Sequence, residues 1–292
     1  MPTYRFQQVD VFTNRALRGN PVAVLLDADD IPEATMQQVA AWTNLSETTF
    51  VLRPTQAGAD YRLRIFTPRS ELPFAGHPTV GSAHAVLSTG LVPAGATRLQ
   101  QECKAGVLPL TIDGTGPTRR ISVRVPPPRV ADADETLVEP LTEALGVTVS
   151  DTSAPRIIDV GAVWLVALVA NEAALRTLRP DLPLIDHLSR ELGISGVTVV
   201  ALSDAKDLPV VVRSFAPAAG IGEDPVCGSG NAAVGAFLAD TGLLGRTGSS
   251  YTSSQGREVG RDGAVTVHVT DEGRVIEIGG SAVTVIEGEI RL

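Results

Sequence analysis

The sequence predicts an α+β chain of two similar lobes, each a mixed β-sheet or barrel wrapped around one helix of small residues. Three observations carry this. The first is an internal repeat. Arg64-x-Phe66-x-Pro68 matches Arg213-x-Phe215-x-Pro217, and Glu71-Leu-Pro-Phe-Ala-Gly-His77 lies against Glu223-Asp-Pro-Val-Cys-Gly-Ser229, with three extra residues in the second copy. A strand–loop–turn–helix unit repeated roughly half a chain apart implies two equivalent lobes. The second is that both copies run into helical stretches rich in alanine and glycine, Thr79–Thr89 and Asn231–Ala239. Side chains this small let neighbours approach closely, which suits a central helix. The third is that most other segments read as short strands, without the regular βαβ alternation of a doubly wound sheet.

Taken in order, Tyr4–Phe12 alternates and is rich in β-formers, so it reads as a strand. Arg18-Gly-Asn-Pro21 is turn chemistry, and residues 21–26 form a second, buried strand. Residues 32–42 make a helix, with Pro32 in its first turn. A short strand spans Glu47–Leu52, another Tyr61–Thr67. The small helix Thr79–Thr89 ends at Gly90, a natural C′ residue. Strands follow at Arg98–Cys103 and Val107–Ile112, and Gly114-Thr-Gly-Pro117 reads as a linker. The first lobe is thus 1–117, completed by a last strand at 282–292, and the second is 118–281. In the second lobe, helices are expected at 135–145, 172–179, 184–192 and 231–239. Strands are expected at 121–125, 164–169, 197–202, 209–215, 265–269 and 275–278, and the closing strand of the first lobe at 282–290.

With 292 residues, 43% of them hydrophobic, the chain has enough apolar material for two cores. A net charge of −9 argues against a nucleic-acid backbone or an anionic membrane as the main partner. It leaves room for a small anion, because the N–H groups of a helix N-terminus act locally. Two cysteines, Cys103 and Cys227, give neither a disulfide framework nor metal-ligand spacing, which fits a reducing, cytoplasmic setting. The N-terminal segment has no signal-peptide pattern, and the longest apolar run is too short to span a bilayer.

Gly228-Ser-Gly230-Asn-Ala-Ala233 fits G-x-G-x-x-A. A dinucleotide fingerprint must directly follow a strand and be followed about 20 residues on by an acidic side chain. Here the expected strand ends near Phe215 and no carboxylate lies in residues 248–251, so the glycines read as a turn that lets the backbone approach a ligand.

Asn44-Leu-Ser-Glu-Thr48, Phe74-Ala-Gly-His-Pro78 and Gly222-Glu-Asp-Pro-Val-Cys-Gly-Ser229 resemble the signature stretches of the phenazine-biosynthesis isomerase family (PhzF-like). Gly19-Asn-Pro-Val-Ala23 near the start, Gln255-Gly and Gly260-Arg261 near the end extend the likeness over essentially the whole chain. The resemblance implies a diaminopimelate epimerase-type fold with the site between two pseudo-symmetric lobes. It also implies no metal, no organic cofactor, and a proton shift along a small carboxylate-bearing skeleton. Relatives imply a homodimer.

On residues alone, Glu47 reads as an ordinary surface glutamate at a strand edge; the resemblance reverses this and implies that it is the acid/base. That role needs a carboxyl whose pKa is lifted toward neutrality. His77 reads as a helix-capping or a substrate-binding histidine, and Asp224 as a turn aspartate or a second proton-handling carboxyl; the resemblance implies the functional role for each. Gly76, Gly228, Ser229, Asn20 and Cys227 are implied to bind substrate. Cys227 raises a rival, because epimerases and racemases of this fold set two cysteines opposite each other. The partner position here is Ala75, and one thiol cannot invert a carbon centre by a two-base route. A thiolate at a helix N-terminus would have a lowered pKa, which would make Cys227 reactive; the preferred reading is a small buried packing residue.

Overall fold

A computed structural model describes residues 1–292. By contacts the chain divides into two units, Met1–Arg124 with Gly279–Leu292, and Val125–Ile278.

In the first unit, β1 (Thr3–Val11) pairs antiparallel with β2 (Asn20–Leu25) on one side and with the C-terminal strand Ala282–Arg291 on the other. α1 (Glu33–Thr43) is the crossover that carries β2 into the parallel strand β3 (Thr48–Leu52). It stops where Asn44 turns left-handed, φ 53. β4 (Tyr61–Phe66) and the two-residue β5 (Glu71–Leu72) continue antiparallel from β3. The chain then enters α2 (Gly76–Ser88), and β6 (Arg98–Cys103), β7 (Gly106–Asp113) and β8 (Arg120–Arg124) complete the unit. β1, β2, β3, β4, β8 and the C-terminal strand all pack on α2, so the sheet wraps the helix. Nearly every residue of α2 is buried. At Gly81 a methyl group would collide with Val22 and with Val11, 2.9 Å from its Cγ2. The helix face is bare because β1 and β2 lie directly against it. The boundary read at 117/118 falls at 124/125, because β8 hydrogen-bonds to β7.

In the second unit, β9 (Arg129–Asp132) is followed by α3 (Val138–Leu145), β10 (Arg156–Asp159) and β11 (Val163–Leu168). Next come α4 (Glu172–Arg176), α5 (Leu182–Leu192), β12 (Gly196–Leu202), β13 (Val210–Ala216) and β14 (Ile221–Asp224). The central helix α6 (Gly228–Asp240) precedes α7 (Leu244–Thr247), β15 (Ser250–Gln255), β16 (Gly263–Thr270) and β17 (Val275–Gly280). β11 and β12 are parallel, β12 and β13 antiparallel, and β13 runs parallel to β15. α6 packs on β9, β10, β11, β12 and β16. α3, α4 and α5 cover a separate core built on Leu141, Leu175, Ile185, Val197, Val199 and Phe215. Gly235 of α6 leaves just enough room for Val267, whose Cγ1 would sit 3.1 Å from an added methyl.

Both central helices begin three residues before their predicted starts. Pro78 occupies the first turn of α2, where a missing N–H costs nothing, and Gly228–Gly230 opens α6. β9, β10, β14 and β15 have no counterpart in the sequence expectations. β9 is wholly exposed, β10 and β14 are four residues each, and β15 is SYTSSQ; none offers an apolar alternation.

The repeat is preserved down to side chains. Arg64 donates Nε to Glu71 Oε1 (2.8 Å) and Nη2 to Oε2 (2.6 Å). Arg213 donates Nε to Glu223 Oε1 (2.9 Å) and Nη2 to Oε2 (2.8 Å). Each guanidinium lies 5.1 Å from the ring centroid of the phenylalanine two residues on, Phe66 or Phe215. The Arg-x-Phe…Glu spacing is therefore a structural clamp: a bidentate pair ties each strand to the loop that leads into its central helix.

Candidate active site

Glu47, His77, Asn20 and Gly76 belong to the first unit and come together at one end of its sheet. The parallel pairing of β2 with β3 sets Asn20, which opens β2, and Glu47, which immediately precedes β3, at the same end. α2 starts there too, so its first turn presents Gly76 and His77. His77 Nε2 lies 3.3 Å from Glu47 Oε2, with side chains only 6% and 12% exposed. On the other side of the ring, Asn20 Nδ2 is 3.5 Å from Nδ1. Burial pushes the His77 pKa down to about 3, against a smaller opposing effect of its bond to the Pro21 backbone, so the ring is neutral. A neutral imidazole offers one donor and one acceptor nitrogen, and the Nε2 nitrogen faces the carboxyl. The N-cap of α2 is Ala75, which has no side-chain cap, so the helix opens with backbone N–H groups not taken by its own cap residue. His77 is thus inside the first turn rather than capping it.

Asp224, Cys227, Gly228 and Ser229 cluster in the second unit. Asp224 ends β14, and its Oδ1 accepts from Val226 N at 3.0 Å. Burial pushes its carboxyl up to about 6, helped by neighbouring Glu223 and opposed by donors from Val226 and Cys227. Cys227 is the N-cap of α6 and accepts Gly230 N at 3.2 Å. Cys227 is buried, and its place at the helix N-terminus does not lower the thiol: burial, with Asp224 beside it, pushes it up. Loss of water outweighs the helix N-terminus here. Ser229, half-buried in the first turn, receives Trp164 Nε1 at 3.1 Å and lies 3.6 Å from Cys227 Sγ. Ala75 and Cys227 hold the equivalent N-cap positions of the two central helices.

Residues without an assigned role in the sequence reading hold this second cluster in place. Gln255, at the end of β15, accepts from Cys227 N (3.1 Å) and Asn231 Nδ2 (2.8 Å) and donates to the Asp224 carbonyl (3.0 Å). Ser253 bonds Asn231 in turn. Gln255, Asn231 and Ser253 are fully buried. The Gln255-Gly dipeptide was visible as a motif; Trp164, a lone aromatic in an apolar strand, gave no signal. The remaining three histidines lie elsewhere: His84 Nε2 meets Thr284 at 3.1 Å, exposed His187 faces Glu191 at 3.6 Å, and His268 is on β16. No group of three or more His, Cys, Asp or Glu side chains is arranged to hold a metal ion. No helix is long and apolar enough to cross a membrane.

Among solved structures, a PhzF-family phenazine biosynthesis protein from Bacillus anthracis matches with a TM-score of 0.89 and 30% identity, covering 100% of both chains. A hydroxyproline epimerase from Agrobacterium vitis shares the fold alone, with a TM-score of 0.65 and 15% identity over 99% of this chain and 92% of that one. Fold and relatives define the class: an isomerase on the diaminopimelate epimerase-type α+β fold. The chain belongs to the phenazine biosynthesis-like protein family, whose model matches residues 9–288. It is 41% identical to Antisense-enhancing sequence 1 of Schizosaccharomyces pombe, over 99% of each chain. It is 33% identical to the trans-2,3-dihydro-3-hydroxyanthranilate isomerase of Pseudomonas aeruginosa, over 99% of this chain and 100% of that one.

Proposed function

We propose that this isomerase works without a cofactor, shifting a proton along a small, conjugated, carboxylate-bearing metabolite by general acid–base chemistry at Glu47. The observation that carries the reading is the Glu47–His77 contact, a carboxyl and a neutral imidazole 3.3 Å apart and nearly buried. Glu47 as carboxylate removes a proton from a saturated carbon. The released electron pair moves through the conjugated system, and a carboxyl proton is returned to a carbon further along. Bonds made and broken balance, and nothing is oxidised. His77, oriented by Asn20, hydrogen-bonds the oxygen on which charge develops. Asp224, titrating near pH 6, is a second carboxyl able to carry a proton under ordinary conditions. Gly76 in the first unit, and Gly228 and Ser229 in the second, provide N–H and hydroxyl donors for anionic groups at their own helix N-termini.

The relative that acts on trans-2,3-dihydro-3-hydroxyanthranilate supports a substrate of that kind. A homodimer in a reducing, cytoplasmic setting belongs to the same reading; sedimentation of the purified chain tests the dimer. The rival, an epimerase using Cys227, is disfavoured by Ala75 at the matching position and by a thiol held in its protonated form. Incubation with trans-2,3-dihydro-3-hydroxyanthranilate in heavy water, followed by NMR, separates them. Hydrogen or deuterium gained at a new carbon supports the isomerase. Exchange confined to the original stereocentre supports the epimerase. No change at any carbon overturns both for this substrate class.

A further inference from the structure

The reaction above makes no use of Trp164, yet the residue is 3% exposed and commits its one hydrogen-bonding group to Ser229, Nε1–H to Oγ at 3.1 Å. An indole N–H is a donor only. Ser229 Oγ must therefore accept, and its own proton points elsewhere. The next atom is Cys227 Sγ at 3.6 Å. The thiol in turn donates to the Asp224 carboxyl, while Gly230 N–H donates to the sulfur at 3.2 Å. The indole end cannot be reversed; either atom of the Ser229–Cys227 contact can donate, and when Ser229 gives its proton to the sulfur every link runs the same way.

We propose that Trp164 is a positioning residue: it heads a one-way hydrogen-bond chain, Trp164 to Ser229 to Cys227 to Asp224, that fixes Ser229 as a donor and links anion capture at Ser229 to the proton on Asp224. A group that accepts a hydrogen bond becomes a better donor. While Ser229 donates to the sulfur, the thiol is a stronger donor to Asp224 and favours its carboxylate form. A substrate carboxylate that takes the Ser229 proton withdraws that support and adds its own negative charge, so Asp224 gains a proton from solvent. Arrival of an anion thereby arms the acid. The groups that act on the Asp224 carboxyl include Glu223 on its own strand, itself paired with Arg213, the Val226 N–H at 3.0 Å and Cys227 from the α6 N-cap, while the neutral Gln255 from β15 bonds its backbone carbonyl.

The meaning of the chain rests on the isomerase reading, but its existence is a property of the unliganded protein and is tested there. The full chain, carrying 13C-carboxyl aspartate, is titrated by NMR without ligand. Trp164→Phe, which keeps most of the ring volume, and Ser229→Ala each move the Asp224 midpoint upward by roughly half a pH unit, and Cys227→Ala moves it further. Trp164→Phe adds nothing in a Cys227→Ala background. If Trp164→Phe does not fold, Ser229→Ala breaks the same chain from the half-exposed end. An Asp224 midpoint unmoved by these changes, or a Trp164→Phe shift that persists without Cys227, overturns the proposal. Failure of the isomerase reading would show separately, in the heavy-water experiment, as exchange confined to the original stereocentre or no change at any carbon.

Discussion

Replacing Arg213 by methionine removes one half of a buried clamp and leaves the other half stranded. The side chain is 5% exposed and its partner Glu223 12%. Besides the bidentate pair, Arg213 Nη1 reaches the carbonyls of Leu175 (3.2 Å) and Leu178 (3.3 Å), tying α4 and the turn after it to β13. Breaking a buried pair from one side costs about 3–5 kcal/mol, because an uncompensated charge remains. The equivalent Arg64→Met is milder: Arg64 is 20% exposed, and Lys104 Nζ still lies 2.6 Å from Glu71. There the expected cost is about 1–2 kcal/mol. Urea unfolding followed by tryptophan emission reads the second unit directly, since Trp164 is buried and Trp42 is 78% exposed. Arg213→Met with Glu223→Gln should recover part of the loss, because the stranded charge goes with its partner. Equal costs at Arg213 and Arg64, or a loss below about 1 kcal/mol at Arg213, would refute the clamp.

Acid should destabilise the native state through His77. Burial lowers its pKa to about 3, so between pH 6.5 and 5 the unfolded chain takes up a proton that the folded one refuses. His77 alone lowers stability by about 1.6 kcal/mol over that interval, the slope approaching about 1.4 kcal/mol per pH unit at its acid end, with His84 adding in the same direction and Asp224, raised by burial, opposing; His77→Asn removes the His77 share of the slope in urea titrations, and an unchanged slope contradicts a buried, neutral ring. Gly235→Ala, with Val267 and Val269 3.1 and 3.3 Å from the new methyl, should cost about 1–2 kcal/mol, and Gly81→Ala more, read as lowered melting temperatures. Cys227→Ala should keep turnover within about tenfold of the parent, a loss of no more than about 1.4 kcal/mol in barrier. Abolished turnover would favour the epimerase.

The duplicated unit was legible because its key residues are chemically distinctive. Arginine, phenylalanine and proline at fixed spacing, each followed by a glutamate, recur in the sequence, and the clamp that the arginine and glutamate build explains why. The central helices were legible from their small residues, but their starts were not. The first turn of each, Gly76–Pro78 and Gly228–Gly230, is made of residues that ordinarily read as turn. Glu47, His77 and Asn20 were singled out by motif, while the cause of their meeting is topological: β2 and β3 run parallel, which no local pattern reveals. Glu223 and Glu71, adjacent to the motifs, are occupied by Arg213 and Arg64. Trp164 and the Gln255–Asn231–Ser253 network escaped notice because neutral buried groups leave no charge pattern or period.

Glu47→Gln provides the most direct measurement. The amide keeps the size and the contact with His77 but cannot take a proton from carbon. Single-turnover NMR with trans-2,3-dihydro-3-hydroxyanthranilate in heavy water should show no hydrogen moved at any carbon, with the melting temperature and the affinity for that compound close to those of the parent. Near-normal proton transfer in that variant would contradict the account.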